Sequence, residues 1–204
     1  MIAMMRYGEL KKLSERYRSI RDLEDGMTAQ RRGQEFNNLI ADIFQSYGIP
    51  ARAGVRRSIG EIDVHFAIGG NRYILEAKWE SRPVDQGAIA KLRDRLAESL
   101  AGTRGVLLSM SGFTPEAIMS TRFGKQLSLV LMDRSHIEAL LSGVLDPIEL
   151  IDGMVDYASF MGEPTAPVSE LISGEPNRAA EDVVSFGSAD GCPDSFIVGC
   201  SAPE

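Results

Sequence analysis

Asp63, Glu76 and Lys78 are the residues of this chain whose types and spacing could do chemistry. They lie in a stretch that reads Gly60-Glu-Ile-Asp-Val-His-Phe-Ala-Ile-Gly-Gly-Asn-Arg-Tyr-Ile-Leu-Glu-Ala-Lys-Trp79. Two carboxylates suit a hard divalent cation such as Mg²⁺, which keeps several waters and fills the rest of its shell from a phosphate. Such an ion lowers the pKa of a bound water and offsets charge on a phosphoryl group under attack. A lysine beside it can orient or deprotonate that water. The trio therefore fits metal-assisted hydrolysis of a phosphate ester.

For that chemistry the three side chains must meet, and the local pattern brings them together. Two apolar-alternating runs flank Gly69-Gly70-Asn71, a turn signal, so the stretch reads as a β-hairpin. In a tight antiparallel hairpin the start of one strand faces the end of the other. Asp63 starts the first strand, and Glu76 and Lys78 end the second. Being two apart, Glu76 and Lys78 project from one face. Glu61 and His65 share the parity of Asp63, so Glu61 is either a third carboxylate near the metal or a residue at the rim, and His65 either a neighbour of the site or a structural or surface histidine. An ion pair of Lys78 with Glu76 or Glu80 is the bland alternative.

The remaining elements follow from periodicity. Leu10, Leu13, Tyr17, Ile20 and Leu23 recur at helical spacing among many charges, and Gly26 ends that run. This helix is either an exposed amphipathic surface or an arm for DNA or a second subunit. Thr28 reads as the N-cap of a helix to about Tyr47, with Phe36, Leu39, Ile40, Ile43 and Phe44 on one stripe. Residues 51–59 are a strand or a loop carrying Arg52, Arg56 and Arg57. That cluster is either a solvated edge or a grip on backbone phosphates. Val84 to Leu100 reads as a helix with Ile89, Leu92, Leu96 and Leu100 inward and Lys91, Arg93 and Arg95 outward. Thr103–Ser109 and Leu127–Met132 are apolar enough for buried strands. Between them, Ser111-Gly112-Phe113-Thr114 caps a short helix, with Pro115 at its first position. Ser135–Leu141 and Asp146–Met161 complete the helices.

The ordered set of these motifs resembles the Mrr-like restriction endonuclease domain of the PD-(D/E)xK nuclease superfamily. Asp63, twelve intervening residues and Glu76-Ala77-Lys78 match the catalytic motif. Gly33-Gln34-Glu35-Phe36, Gly60-Glu61-Ile62-Asp63, Gly105 to Thr114 with Ala117, and Leu129 to Asp133 with Leu140-Leu141 match its flanks, over about Thr28–Ser142. The resemblance implies an α/β fold, a restriction-endonuclease-like three-layer α/β/α sandwich with a mixed central sheet. It also implies a Mg²⁺-dependent (or Mn²⁺-dependent) DNA endonuclease of type II/IV-like restriction character. Asp63, Glu76 and the carbonyl of Ala77 would hold the metal, and Lys78 would activate water. Glu35 is either a surface carboxylate or a group aimed at the metal, and Gln86 either a capping polar residue or one approaching the site. Arg52, Arg56, Arg57 and Lys91 are the candidate DNA contacts. Double-stranded DNA is the implied partner, with a homodimer when both strands are cut. The alternatives are a non-cleaving DNA-binding or regulatory module, or a structure-specific repair nuclease.

Composition agrees with these readings. With 44% apolar and 25% charged residues the chain has the balance of a globular protein. No apolar run approaches a membrane span, and a cytoplasmic address is the default. Cys192 and Cys200 form no metal-ligand pattern. The net charge of −7 runs against DNA binding, but it is unevenly spread. Residues 1–60 carry 11 Lys+Arg against 7 Asp+Glu, residues 61–144 carry 10 against 10, and residues 145–204 carry 1 against 12. The expected organisation is an N-terminal amphipathic helix over 1–27, the endonuclease domain over 28–145, a C-terminal helix over 146–162 and an acidic, disordered tail over 163–204. That tail either solubilises the chain or competes with DNA for its basic surface.

Overall fold

The computed structural model describes residues 2–23, 26–57, 60–122 and 126–173. The chain opens with α1 (Ile2–Arg21) and α2 (Ala29–Ser46). Thr28 has an extended backbone, and its hydroxyl accepts the Arg31 amide at 3.2 Å, so α2 starts where its cap predicts. Three antiparallel strands follow: β1 (Ala51–Arg57), β2 (Gly60–Ile68) and β3 (Asn71–Lys78). The chain then crosses over through α3 (Gln86–Ala97) to β4 (Arg104–Ser109), and through α4 (Pro115–Arg122) to β5 (Leu129–Asp133). Both crossovers add parallel strands, so the five-stranded sheet is mixed, in the order β1-β2-β3-β4-β5. The last elements are α5 (Arg134–Ser142), α6 (Pro147–Met161) and α7 (Val168–Ser173).

Two cores cover the two faces of the sheet. On one, Phe36, Leu39, Ile40, Ile43 and Phe44 of α2 pack with Val64, Phe66, Tyr73 and Leu75, joined by Ile137, Leu140, Ile151 and Met154 from α5 and α6. On the other, Ile89, Leu92 and Leu96 of α3 and Ala117 of α4 pack with Ile62, Ile74, Leu107, Leu129 and Leu131. The molecule is thus the three-layer α/β/α sandwich with a mixed sheet that the sequence led us to expect. Gly105 lets α3 lie close: a Cβ there would meet the Leu96 and Leu129 side chains at 2.8 and 2.9 Å. Leu100, expected inward, is 81% exposed, because the helix ends at Ala97 and the periodicity lapses with it. Among the described residues no helix is long and apolar enough to cross a membrane.

Residues 163–173 are not the loose start of a tail. The Pro164 carbonyl accepts the Leu131 amide at 2.8 Å, which covers the edge of β5. The His136 Nε2 lies 2.8 Å from the Ala166 carbonyl. Cys192, Cys200 and the rest of the expected tail, residues 174–204, lie outside the described residues.

The first strands reverse their faces part-way along. Ala51 and Val64 belong to the α2 core, whereas Ile62 belongs to the α3 core and Val55 packs against it. Ala53 stays opposite Val64, and Val55 opposite Ile62. The exchange therefore falls at Gly54 and Asp63, and Gly54 has φ +63°. Regular alternation would put Arg52 and Arg56 together. The reversal puts Arg52 and Arg57 on the α3 side instead, and leaves Arg56 opposite.

Two expectations follow. Gly54→Ala should lower stability by about 1 kcal/mol, because a side chain makes the left-handed conformation costly. At this chain length that is a Tm lower by about 2–4 °C in thermal unfolding followed by circular dichroism. An unchanged Tm would show that the strand does not need the left-handed residue. The second concerns Asp133, the N-cap of α5. The side-chain hydrogen bond with His136 holds its carboxyl well below the usual range, and Ser135 adds to this against the opposing effect of burial. A depressed folded pKa gives stability that is present above the unfolded value, about 3.9, and lost as pH falls toward the folded one. Asp133→Asn should therefore destabilise clearly at pH 7 and less at pH 3 in urea unfolding; an equal loss at both would contradict the assignment.

Candidate functional site

The antiparallel ladder of β2 with β3 stops short of the end of β3. It runs from Ile68 opposite Asn71 to Val64 opposite Leu75. Beyond it β2 follows β1 alone, while β3 stays paired with β4 as far as Lys78 opposite Ser109. The divergence deprives the Ala77 amide of a backbone partner. The Asp63 carboxylate takes that place, accepting the Ala77 N–H at 2.9 Å. On the other edge of β3, the Lys78 carbonyl accepts the Met110 amide at 3.0 Å. Residues along a strand turn their N–H and C=O groups to alternate edges. The Ala77 carbonyl therefore points, like its amide, toward the gap where β2 has left.

Glu76 and Lys78 flank Ala77 and share the α3 face. Glu76 is 8% exposed, and a carboxylate so buried needs a positive partner. Arg95 of α3 supplies it as an ion pair. Lys78 is half-buried, and among the described residues its ammonium has no ion-pair partner, neither Glu76 nor Glu80. Arg95 was expected only among the outward charges of its helix. Its place one turn beyond Leu92 and next to Leu96, both buried, was the available signal.

The backbone just after Lys78 is latched to the helical layer. The Arg32 guanidinium donates to the Trp79 carbonyl at 3.0 Å and lies over the indole, 5.3 Å from its centroid. The indole also packs edge-on against Phe36 at 4.6 Å and near Tyr17 at 6.0 Å. Neither Arg32 nor Trp79 carries a motif that marks it, which is why sequence reasoning missed this contact.

Other candidates are placed elsewhere. The Glu35 carboxylate is taken by Arg16 of α1 at 3.0 Å, and Arg16 also bridges to Asp42 at 2.5 Å. Gln86 is the first residue of α3, exposed, directly after the N-cap Asp85. Glu61 does not share a face with His65. The reversal turns it outward, where it pairs with the exposed Arg56 at 3.8 Å. Arg93 donates to the Ser120 and Thr121 carbonyls at the end of α4, which fixes α3 on α4. Lys91 stays exposed. Among the described residues no three His, Cys, Asp or Glu side chains group closely enough to hold a metal. Two carboxylates, Asp63 and Glu76, and the Ala77 carbonyl are hard oxygen donors that could serve a cation that retains water.

The family model Mrr_cat, described as restriction endonuclease, matches residues 28–141. No curated protein sequence matches the chain. Among solved structures, a protein of unknown function is similar at 22% identity with a TM-score of 0.46, over 64% of this chain and 78% of that one. A repair endonuclease from Pyrococcus abyssi is similar at 22% identity with a TM-score of 0.36, over 45% of this chain and 42% of that one. The MspJI restriction endonuclease in complex with a 27-mer oligonucleotide is similar at 19% identity with a TM-score of 0.40, over 78% of this chain and 39% of that one.

The Trp79 latch has a direct optical test, since the chain has one tryptophan. Arg32→Ala should shift the emission maximum to longer wavelength and increase acrylamide quenching, as the loop after Lys78 loosens. Identical spectra would mean that Phe36 and Tyr17 hold the indole without the guanidinium.

Proposed function

The chain belongs to the restriction endonuclease family whose model spans residues 28–141, and from that premise we propose that it is a divalent-metal-dependent DNA endonuclease. The observation that carries the reading is the Asp63 carboxylate seated on the amide between Glu76 and Lys78. That contact sets a carboxylate on the backbone next to Glu76, in a chain of a restriction endonuclease family. Asp63, Glu76 and the Ala77 carbonyl would hold Mg²⁺, or Mn²⁺ in its place. When bound, the ion lowers the pKa of a water and draws charge off the phosphoryl oxygens.

The residues of the chain do the rest. Lys78, without an ion pair among the described residues, holds the attacking water and offsets the negative charge that develops on the phosphate. Water oxygen bonds to phosphorus as the opposite ester bond breaks; the water gives up a proton to solvent and the leaving ester oxygen takes one from solvent. The Trp79 latch fixes the backbone that carries Lys78, so the ammonium meets its target without a reordering cost. Two such sites would cut both strands of a duplex, which implies a homodimer on DNA. Restriction of foreign or modified DNA is the biological setting that the family suggests.

Wild-type protein with Mg²⁺ should nick and linearise supercoiled plasmid, and excess EDTA should stop it. Lys78→Ala and Asp63→Ala should each reduce the rate by at least about 100-fold, the scale of one electrostatic group at a reacting centre, with unchanged circular dichroism. Equal cleavage by wild type and Lys78→Ala, or none by either, would sink the reading.

A further inference from the structure

The face reversal at Gly54 builds a second feature that the catalytic trio does not use. Arg52 lies opposite His65, and His65 opposite Ile74, so a row of side chains crosses β1, β2 and β3 on the α3 side. A short way along the ladder, Arg72 lies opposite Ala67. Arg57 joins them from beyond the reversal and donates to the Ser99 hydroxyl, just past the end of α3, at 3.3 Å. Together they line a groove of about 950 Å³, floored by Ile62, Ile74 and Ala67 and closed by Ser99, Leu100 and Thr103. Three guanidiniums and an imidazole face it, and among the described residues no carboxylate lines it. Glu61, the nearest carboxylate along β2, is turned to the opposite face with Arg56.

We propose that this groove is a phosphate-backbone site, in which Arg52, Arg57 and Arg72 hold DNA at nucleotides away from the bond being cut. The inference rests on the reading of the chain as a DNA endonuclease and adds where the duplex is held. Arg72 and Lys78 stand six residues apart on one strand. At about 3.3 Å per residue that is about 20 Å, too far for Arg72 to touch the phosphate that Lys78 attends. A groove with several cations and no anion has unbalanced charge that a polyanion relieves, releasing counterions from the DNA. Ser99, Leu100 and Thr103 bring no charge to the groove.

The test uses the full chain carrying Lys78→Ala, so that binding is read without cleavage, and a fluorescein-labelled duplex. Arg52→Gln with Arg72→Gln should weaken binding at least 10-fold. The slope of log K against log salt should become shallower by about 2, one for each phosphate no longer held. Arg56→Gln, from the same strand but the opposite face, should change affinity less than two-fold. Arg56→Gln weakening binding as much as the double variant, or a double variant with unchanged affinity and salt slope, would overturn the groove while leaving the endonuclease reading intact. A parent protein that binds no duplex at all would overturn the endonuclease reading and the groove with it.

Discussion

The site depends on one unmet backbone donor. A strand that loses its neighbour leaves amides facing the gap, and a half-buried N–H without a partner is costly. At Ala77 that donor is met by Asp63, the residue at which β2 turns away. The same divergence thus creates the need and supplies the group that answers it. Asp63 is an acceptor at a position where Asn or Ser would also satisfy the amide. A carboxylate there brings a negative charge to the backbone that carries Glu76.

The divergence in turn depends on Gly54. Two paired strands can exchange faces and remain paired only if the backbone twists sharply, and the left-handed φ of Gly54 provides that twist. Its consequences run in two directions. Toward β3 it opens the gap that Asp63 closes. Toward α3 it gathers Arg52 and Arg57 on one side and sends Arg56 and Glu61 to the other. The seating of Asp63 on Ala77 and the arginine-lined groove are two outcomes of one backbone event.

This explains what was legible in the sequence. The Gly69-Gly70-Asn71 turn, the apolar runs and the cap at Thr28 are local signals, and the hairpin, the strands and the helices formed where those signals stood. The likeness of Asp63, Glu76 and Lys78 to a nuclease motif was legible for the same reason, since spacing along a hairpin is local. What failed was every inference that carried strict alternation through Gly54, because a glycine's φ is not written in its neighbours. Glu61 was aligned with Asp63 and His65 on that basis, and the reversal separates them. Glu35, left open between surface and site, and Arg93, expected outward, were decided differently. Their partners, Arg16 and the end of α4, come from elsewhere in the chain, and long-range ion pairs and hydrogen bonds leave no periodic trace.

Arg95 shows how the fold tolerates its own site. Glu76 is too buried to stay charged alone, and Lys78 beside it points along the same face without bonding it. Were Lys78 the partner, the ammonium would be tied up in structure and unable to attend a water. Arg95 reaches Glu76 from the neighbouring layer, on a helix that Arg93 fixes to α4. A guanidinium suits the task, since it stays charged in partly buried surroundings where an ammonium more readily gives up its proton. With Glu76 held from α3, Lys78 stays half-buried and, among the described residues, without an ion pair.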